Sequence, residues 1–247
     1  MQVQLKDKVI IVTGGRGGIG LATTRKLTEE GAQVVWTDLN DEVIGEPVEG
    51  AIFFQQDVGK EADWLALEKF VLEKFGQLDG LVNNAGIYMN HSIFDTSIES
   101  YRKLMRVNAE GPLLGCQMAL RAIKSGGAIV NTASVAGIKP GPLAIAYGMS
   151  KAAVLNLTEA VATQCIYVKN GIRCNAVCPG AVDTPMTHIE GIDRDANPLL
   201  QMIRQRSITG EIAEASDIAN VIAFLLSDQS AYVTGRSIAT DGGFLIC

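Results

Sequence analysis

Val9-Ile10-Ile11-Val12-Thr13-Gly14-Gly15-Arg16-Gly17-Gly18-Ile19-Gly20 is the stretch that decides the fold. An unbroken apolar run without polar alternation marks a strand buried on both faces, as parallel sheets require. The chain then turns through a glycine-rich segment, Thr13–Gly20, and enters a helical pattern lasting to about Glu30, where Gly31 is a natural C′ residue. Such a turn brings backbone N–H groups against a diphosphate, and the helix N-terminus adds partial positive charge. The string reads as GxGxxG through Gly15, Gly17 and Gly20, or as TGxxxGxG through Thr13, Gly14, Gly18 and Gly20. Its weight comes from its context, with a strand before it, a helix after it and an acid beyond. The acid is Asp38, which ends the second strand, 18 residues past Gly20. A carboxylate there accepts hydrogen bonds from ribose hydroxyls and repels a 2′-phosphate, so NAD is expected over NADP. Arg16 pulls the other way, since a guanidinium near that ribose could receive a phosphate. Taken alone, Asp38 could equally be a turn residue.

Outward from this start, apolar strands alternate with helical patterns along the whole chain. Strands are expected at Val34–Thr37, Ala51–Phe54, Leu78–Val82, Ala128–Thr132, Ile172–Cys178 and near Ser237–Ala239. Helices are expected over about Glu61–Phe75, from a capping box of Thr96 with Glu99 past Asn108 to a break near Gly111-Pro112, over Tyr147–Val168 and over Asp217–Leu226. This alternation specifies an α/β fold: one Rossmann-type doubly wound parallel sheet of about seven strands with helices on both faces. No linker or repeat divides the 247 residues, so one domain is expected, with the less periodic Thr184–Ser207 as a substrate lid or a plain surface loop.

The hydrophobic fraction of 47% supports a sizeable core, and no apolar stretch approaches membrane-spanning length. The first residues enter a strand at once, which leaves no room for a signal peptide, and a cytoplasmic protein is expected. A net charge of −6 without a basic run argues against nucleic acid. The cysteines lack CxxC spacing and there are 2 histidines, so small buried fillers are expected and no metal site.

The chemistry is expected at Tyr147-Gly148-Met149-Ser150-Lys151 and at Ser134, 13 residues upstream of Tyr147. Four residues make about one helical turn, so the phenol and the ammonium share a helix face. By itself that spacing also fits a solvated helix surface. A neighbouring cation stabilises phenolate, and a drop of about three units from roughly 10 would leave the tyrosine half ionised at neutral pH. Such a group could exchange a proton with an alcohol. Asn83-Asn84-Ala85-Gly86 and Ser134 end strands, and the carboxyl ends of strands form the ligand crevice of such a sheet.

Thr13–Gly20, Asp38, Asp57-Val58, Asn83–Gly86, Asn108, Ser134, Tyr147-xxx-Lys151, Arg173-Cys174-Asn175, Pro179-Gly180 with Thr184-Pro185, and Asp241-Gly242-Gly243 together resemble the short-chain dehydrogenase/reductase family over the whole chain. The resemblance implies Tyr147 as general acid/base, Lys151 holding the nicotinamide ribose and lowering the Tyr147 pKa, Ser134 on the substrate oxygen, and Asn108 ordering a water. It further implies cofactor contacts at Gly14, Arg16, Gly18, Ile19, Gly20, Asp38, Leu39, Asp57, Val58, Asn84, Ala85, Gly86, Pro179, Gly180, Val182 and Thr184, besides Tyr147 and Lys151. A homotetramer is implied as well. Glu61–Trp64, Leu81–Gly86 and Gly115–Gln117 look most like bacterial hydroxysteroid and alicyclic secondary-alcohol dehydrogenases. The implied activity is oxidation of a secondary alcohol or reduction of a ketone, and the small, mostly apolar pocket candidates point to an apolar substrate, cyclic or steroid-like. A 3-oxoacyl thioester reductase of the same family is the alternative, and a non-catalytic dinucleotide sensor a remote one. The candidate pocket residues are Ala136–Ala144 with Met186, Ile189, Ile192, Leu199 and Leu200.

Overall fold

The computed structural model describes residues 5–187 and 198–246. Seven parallel strands form one sheet in the order β3-β2-β1-β4-β5-β6-β7. They are β1 (Val9–Thr13), β2 (Gln33–Asp38), β3 (Ile52–Gln55), β4 (Gly80–Asn83), β5 (Ala128–Thr132), β6 (Arg173–Pro179) and β7 (Ser237–Thr240). The helices are α1 (Gly18–Glu29), α2 (Glu61–Phe75), α3 (Ile98–Met105), α4 (Gly111–Ala122), α5 (Ile145–Val168), α6 (Pro198–Arg206) and α7 (Ala215–Leu226).

The unbroken apolar runs have their cause in packing on both faces. Val9, Ile11, Val35 and Ile129 pack with Trp64, Leu67, Met118 and Val161 of α2, α4 and α5. Ile10, Val12, Val34 and Val130 pack with Leu27 of α1 and Ile218 and Ile222 of α7. Strand order reverses between β1 and β4, so the chain leaves these two strands in opposite directions and opens a crevice above their carboxyl ends.

The structure corrects three boundary expectations. The helix expected to start on a Thr96/Glu99 box is capped by Ser97, whose hydroxyl accepts from Ser100 N at 3.0 Å. The Thr96 hydroxyl is committed to the Ser92 carbonyl at 2.7 Å. A capping box does form at Glu214 and Asp217, ahead of α7. The break expected near Gly111-Pro112 is a single π-helical turn, Arg106–Glu110, through which α3 runs on into α4. In the expected lid, Pro198–Arg206 is helical, while residues 188–197, including Ile189 and Ile192, lie outside the described residues. No helix among the described residues is long and apolar enough to cross a membrane.

Candidate active site

The glycine turn is shaped by contacts that no side chain could share. Gly14 has φ +69°, and a Cβ there would lie 2.8 Å from Ala85 Cα. At Gly20 a Cβ would stand 1.9 Å from the Gly14 carbonyl oxygen, so α1 can begin at this distance from the turn only without one. Thr13 ties the turn to the end of β4, its hydroxyl accepting from the N–H groups of Asn84 and Ala85 at 3.0 Å each. The Asn84 amide donates back to the carbonyls of Thr13 at 3.1 Å and Gly14 at 3.3 Å. A bare backbone cradle at the N-terminus of α1 therefore lies beside the Asn-Ala-Gly turn, the geometry that accepts a diphosphate.

The acid expected at the end of β2 closes one side of this cradle. Asp38 accepts from Leu39 N at 2.8 Å and Arg16 N at 3.3 Å. The Arg16 guanidinium turns away to Glu42, with Nε donating to its carbonyl at 2.7 Å and Nη2 lying 3.9 Å from its carboxylate. Leu39 is exposed. Asp57 receives Arg106 Nη1 and Gly59 N, each at 3.0 Å. Burial pushes its carboxyl up, but Arg106 and the Gly59 N–H outweigh that and hold it below the usual carboxylate range. Val58 is buried against Gly111, where a Cβ would meet it at 3.0 Å.

The catalytic candidates converge above the ends of β4 and β5. The π turn carries Asn108 inward, where it is fully buried, and π turns of this kind recur at functional sites. Its amide brackets the Ile87 backbone, accepting from N and donating to O at 2.9 Å each, and also donates to Ser150 Oγ at 3.1 Å. A Cβ at Gly86 would lie 3.4 Å from Asn108 Oδ1 and 3.6 Å from Lys151 Nζ, so both groups border this glycine. Lys151 is buried, and Nζ donates to Thr132 O at 2.7 Å. Ser134 hydrogen-bonds the Tyr147 phenol and accepts from Ala136 N at 3.2 Å.

The expected lowering of the Tyr147 pKa by Lys151 does not hold in this structure. Burial pushes the phenol up to about 12; the Ser134 hydroxyl works against this and Tyr88 adds to it. Burial also pushes the Lys151 amine down to about 8, with Cys178 acting in the opposite direction. The amine lies 5.6 Å from the centre of the Tyr147 ring and is bonded to a carbonyl. Desolvation therefore outweighs the attraction inferred from a four-residue spacing.

At the far wall, Gly180 N donates to Thr240 O at 3.2 Å, Val182 is buried and forms a bridge with Ala213, and the Thr184 methyl would stand 3.0 Å from a Cβ at Gly18. Ile19 packs into the α1/α7 side of the core. Of the apolar pocket candidates, Ile138, Leu143 and Met186 are exposed, Leu200 is buried, and the Leu199 side chain lies outside the described residues. Three site residues were absent from the sequence expectations. Tyr88 stacks on Tyr147, Arg106 binds Asp57, and Cys178 lies behind Lys151. An aromatic two residues beyond Gly86 was the only visible signal for Tyr88.

A family model described as enoyl-(acyl carrier protein) reductase matches residues 14–245. The chain belongs to the short-chain dehydrogenase/reductase family, and it is an oxidoreductase by that membership. It is 38% identical over 257 residues to an NADP-dependent (R)-specific alcohol dehydrogenase of Lentilactobacillus kefiri, covering 99% of both chains. It is 41% identical over 251 residues to a 2,5-dichloro-2,5-cyclohexadiene-1,4-diol dehydrogenase of Sphingobium indicum, covering 97% of this chain and 98% of that one. The ligand-free structure of Thermoplasma acidophilum aldohexose dehydrogenase superposes with a TM-score of 0.90 at 29% identity, over 98% of this chain and 96% of that chain.

Proposed function

We propose that this protein is a nicotinamide-dependent dehydrogenase that interconverts a secondary alcohol and a ketone, with NAD preferred and an apolar, often cyclic or steroid-like substrate. The observation that carries the reading is the hydrogen bond of Ser134 to Tyr147, with Lys151 one helical turn on and next to Asn108 at Gly86, beside a backbone cradle that only glycine permits. That cradle fits a dinucleotide, with Gly14–Gly20 at the diphosphate, Asp38 at the adenosine ribose, Asp57 and Val58 at adenine and Lys151 at the second ribose. When bound, the nicotinamide supplies the hydride.

The remaining steps belong to this chain. Ser134 holds the substrate oxygen and stabilises the charge that develops there. Tyr147, held neutral by its burial, gives its proton to that oxygen in the reducing direction. Alcohol oxidation needs the phenolate, and a positive charge arriving nearby would stabilise it. Asn108, beside Lys151 at Gly86, orders a water that links the amine to solvent. Asp38, together with an Arg16 already engaged by Glu42, supports NAD; the NADP-dependent Lentilactobacillus relative is the counterweight. The names of the two alcohol-oxidising relatives support the reaction class.

Free, buried Cys116, Cys165, Cys174 and Cys178 suit a reducing cytoplasm. Exposed Leu113 on α4 and Met149, Ile166 and Tyr167 on α5 support the homotetramer, and the segment after β6 is proposed as the substrate lid. An absorbance screen with NAD(H) and NADP(H) over steroids, cyclic alcohols, short diols and ketoacyl thioesters tests the reading. The family model's description keeps a thioester reductase as the second reading. Turnover of thioesters, with failure of every uncharged apolar alcohol, would install it instead.

A further inference from the structure

The segment after β4 returns along the first turn of α5 and touches it twice. Ile145 N donates to His91 O at 3.2 Å, and the Tyr88 ring meets the Tyr147 ring edge-on, with centroids 5.1 Å apart and planes at 75°. That first turn has little support of its own. Its N-cap, Ala144, has φ 63° and no capping side-chain bond, a conformation an alanine does not favour. Tyr147 is two residues into the helix, so its ring depends on what leans against it. Ser134 fixes the hydroxyl end of that ring, and Gly148 packs on the Ala136 carbonyl, where a Cβ would lie 3.1 Å away. Among the described residues, Tyr88 is the aromatic ring that stacks on Tyr147.

We propose that Tyr88 is a positioning residue, whose ring sets the orientation of Tyr147 and shields it from water, so that its phenol reaches the substrate oxygen from one direction. The proposal rests on the reading of Tyr147 as the proton donor. The proposal rests on the ring; the Tyr88 hydroxyl donates to Asn90 Oδ1 at 3.4 Å, and its own ionisation acts on Tyr147 only through charge. Edge-to-face pairs are worth about a tenfold equilibrium preference at most, and misplacement of a reacting group by about 1 Å can cost more in rate.

Three proteins test it: wild type, Tyr88→Phe and Tyr88→Leu. Tyr88→Phe keeps the ring and should turn over within about twofold of wild type, whereas Tyr88→Leu should lose about tenfold in kcat with little change in KM for the nicotinamide. The titratable groups around Tyr147 are Lys151 on its own helix, which Cys178 of β6 influences, and Tyr88 beyond β4; the neutral Ser134 hydroxyl beyond β5 hydrogen-bonds it. Of these only Tyr88 changes. Loss of its ring admits water, so the limb of the pH–rate profile set by Tyr147 should move to lower pH in Tyr88→Leu, and by clearly less in Tyr88→Phe, which keeps the ring and loses only the charge of an ionised Tyr88. Ultraviolet titration of the tyrosinates, each protein minus its Tyr147→Phe counterpart, should show the same shift without any substrate.

Equal kcat and equal titration in Tyr88→Leu and wild type would overturn the proposal, as would equal losses in both variants. Tyr88 is 37% exposed, so the substitution should leave the fold intact; if melting nevertheless shows that the Leu variant is unfolded, Tyr88→Met carries the same comparison. A wild type that turns over no alcohol at all would refute the proposed function instead, and the spectral titration would still decide the role of Tyr88.

Discussion

Replacing Lys151 by Met separates what this amine does for chemistry from what it costs the fold. Nζ is buried, bonds Thr132 O at 2.7 Å, and has its pKa pushed from 10.5 to about 8 by burial. Each unit corresponds to about 1.4 kcal/mol, so the buried ammonium opposes folding by about 3 kcal/mol well below pH 8. An unfolded lysine keeps its proton up to 10.5 while the folded one releases it near 8, so the unfolded state binds more protons between these values. Stability therefore rises with pH through that window. Tyr147 acts oppositely and later: unfolded it ionises at 10, folded at about 12, so its contribution is lost only above 10.

Urea unfolding at about pH 7 and about pH 9 should accordingly find the wild type more stable at the higher pH, by on the order of 1 kcal/mol on account of Lys151. Lys151→Met keeps the apolar stem, removes the charge and forfeits a hydrogen bond worth about 1 kcal/mol. The variant should gain about 2 kcal/mol at neutral pH, lose that part of the pH slope, and lose turnover. The other lysines cancel in the difference between the two proteins. Identical stability and identical pH dependence in wild type and variant would refute the claim that desolvation dominates this site.

Tyr147→Phe preserves shape and removes the ionisable hydroxyl, so turnover should disappear while NADH affinity, read by fluorescence titration, stays near wild type. Asp38→Ala should weaken NAD binding and raise NADP affinity relative to it; an unchanged ratio in paired titrations would assign the choice elsewhere. Gly20→Ala drives a Cβ to 1.9 Å from the Gly14 carbonyl, so it should abolish dinucleotide binding or lower the melting temperature by several degrees, measured by calorimetry. Arg106→Leu removes the 3.0 Å partner of Asp57 and should raise KM for the nicotinamide several-fold with little change in kcat, as steady-state kinetics would show.

Much of the architecture was written locally. A strand covered on both faces must be apolar throughout, so β1, β2 and β5 stand out in the sequence, and Gly14 and Gly20 mark positions where the backbone itself makes the contact. Tyr147 and Lys151 were legible because a helix brings residues four apart onto one face. Finer features were decided by competition. Thr96 and Ser97 are both good caps; in the fold Ser97 accepts from Ser100 N at the start of α3, while the Thr96 hydroxyl donates back to the Ser92 carbonyl. The helix Pro198–Arg206 was invisible in a stretch that lacks strong periodicity.

Sequence alone determined the parallel sheet, the glycine-rich turn and the identity of the proton-transfer candidates, because each depends on neighbours within a few residues along the chain. The tertiary structure decided the electrostatics of the site and the ring that meets Tyr147. Whether Lys151 lowers the Tyr147 pKa depends on burial, and burial comes from strands and helices far away in the chain. Tyr88 lies 59 residues before Tyr147, and only the packing of the segment after β4 on α5 brings the two rings together.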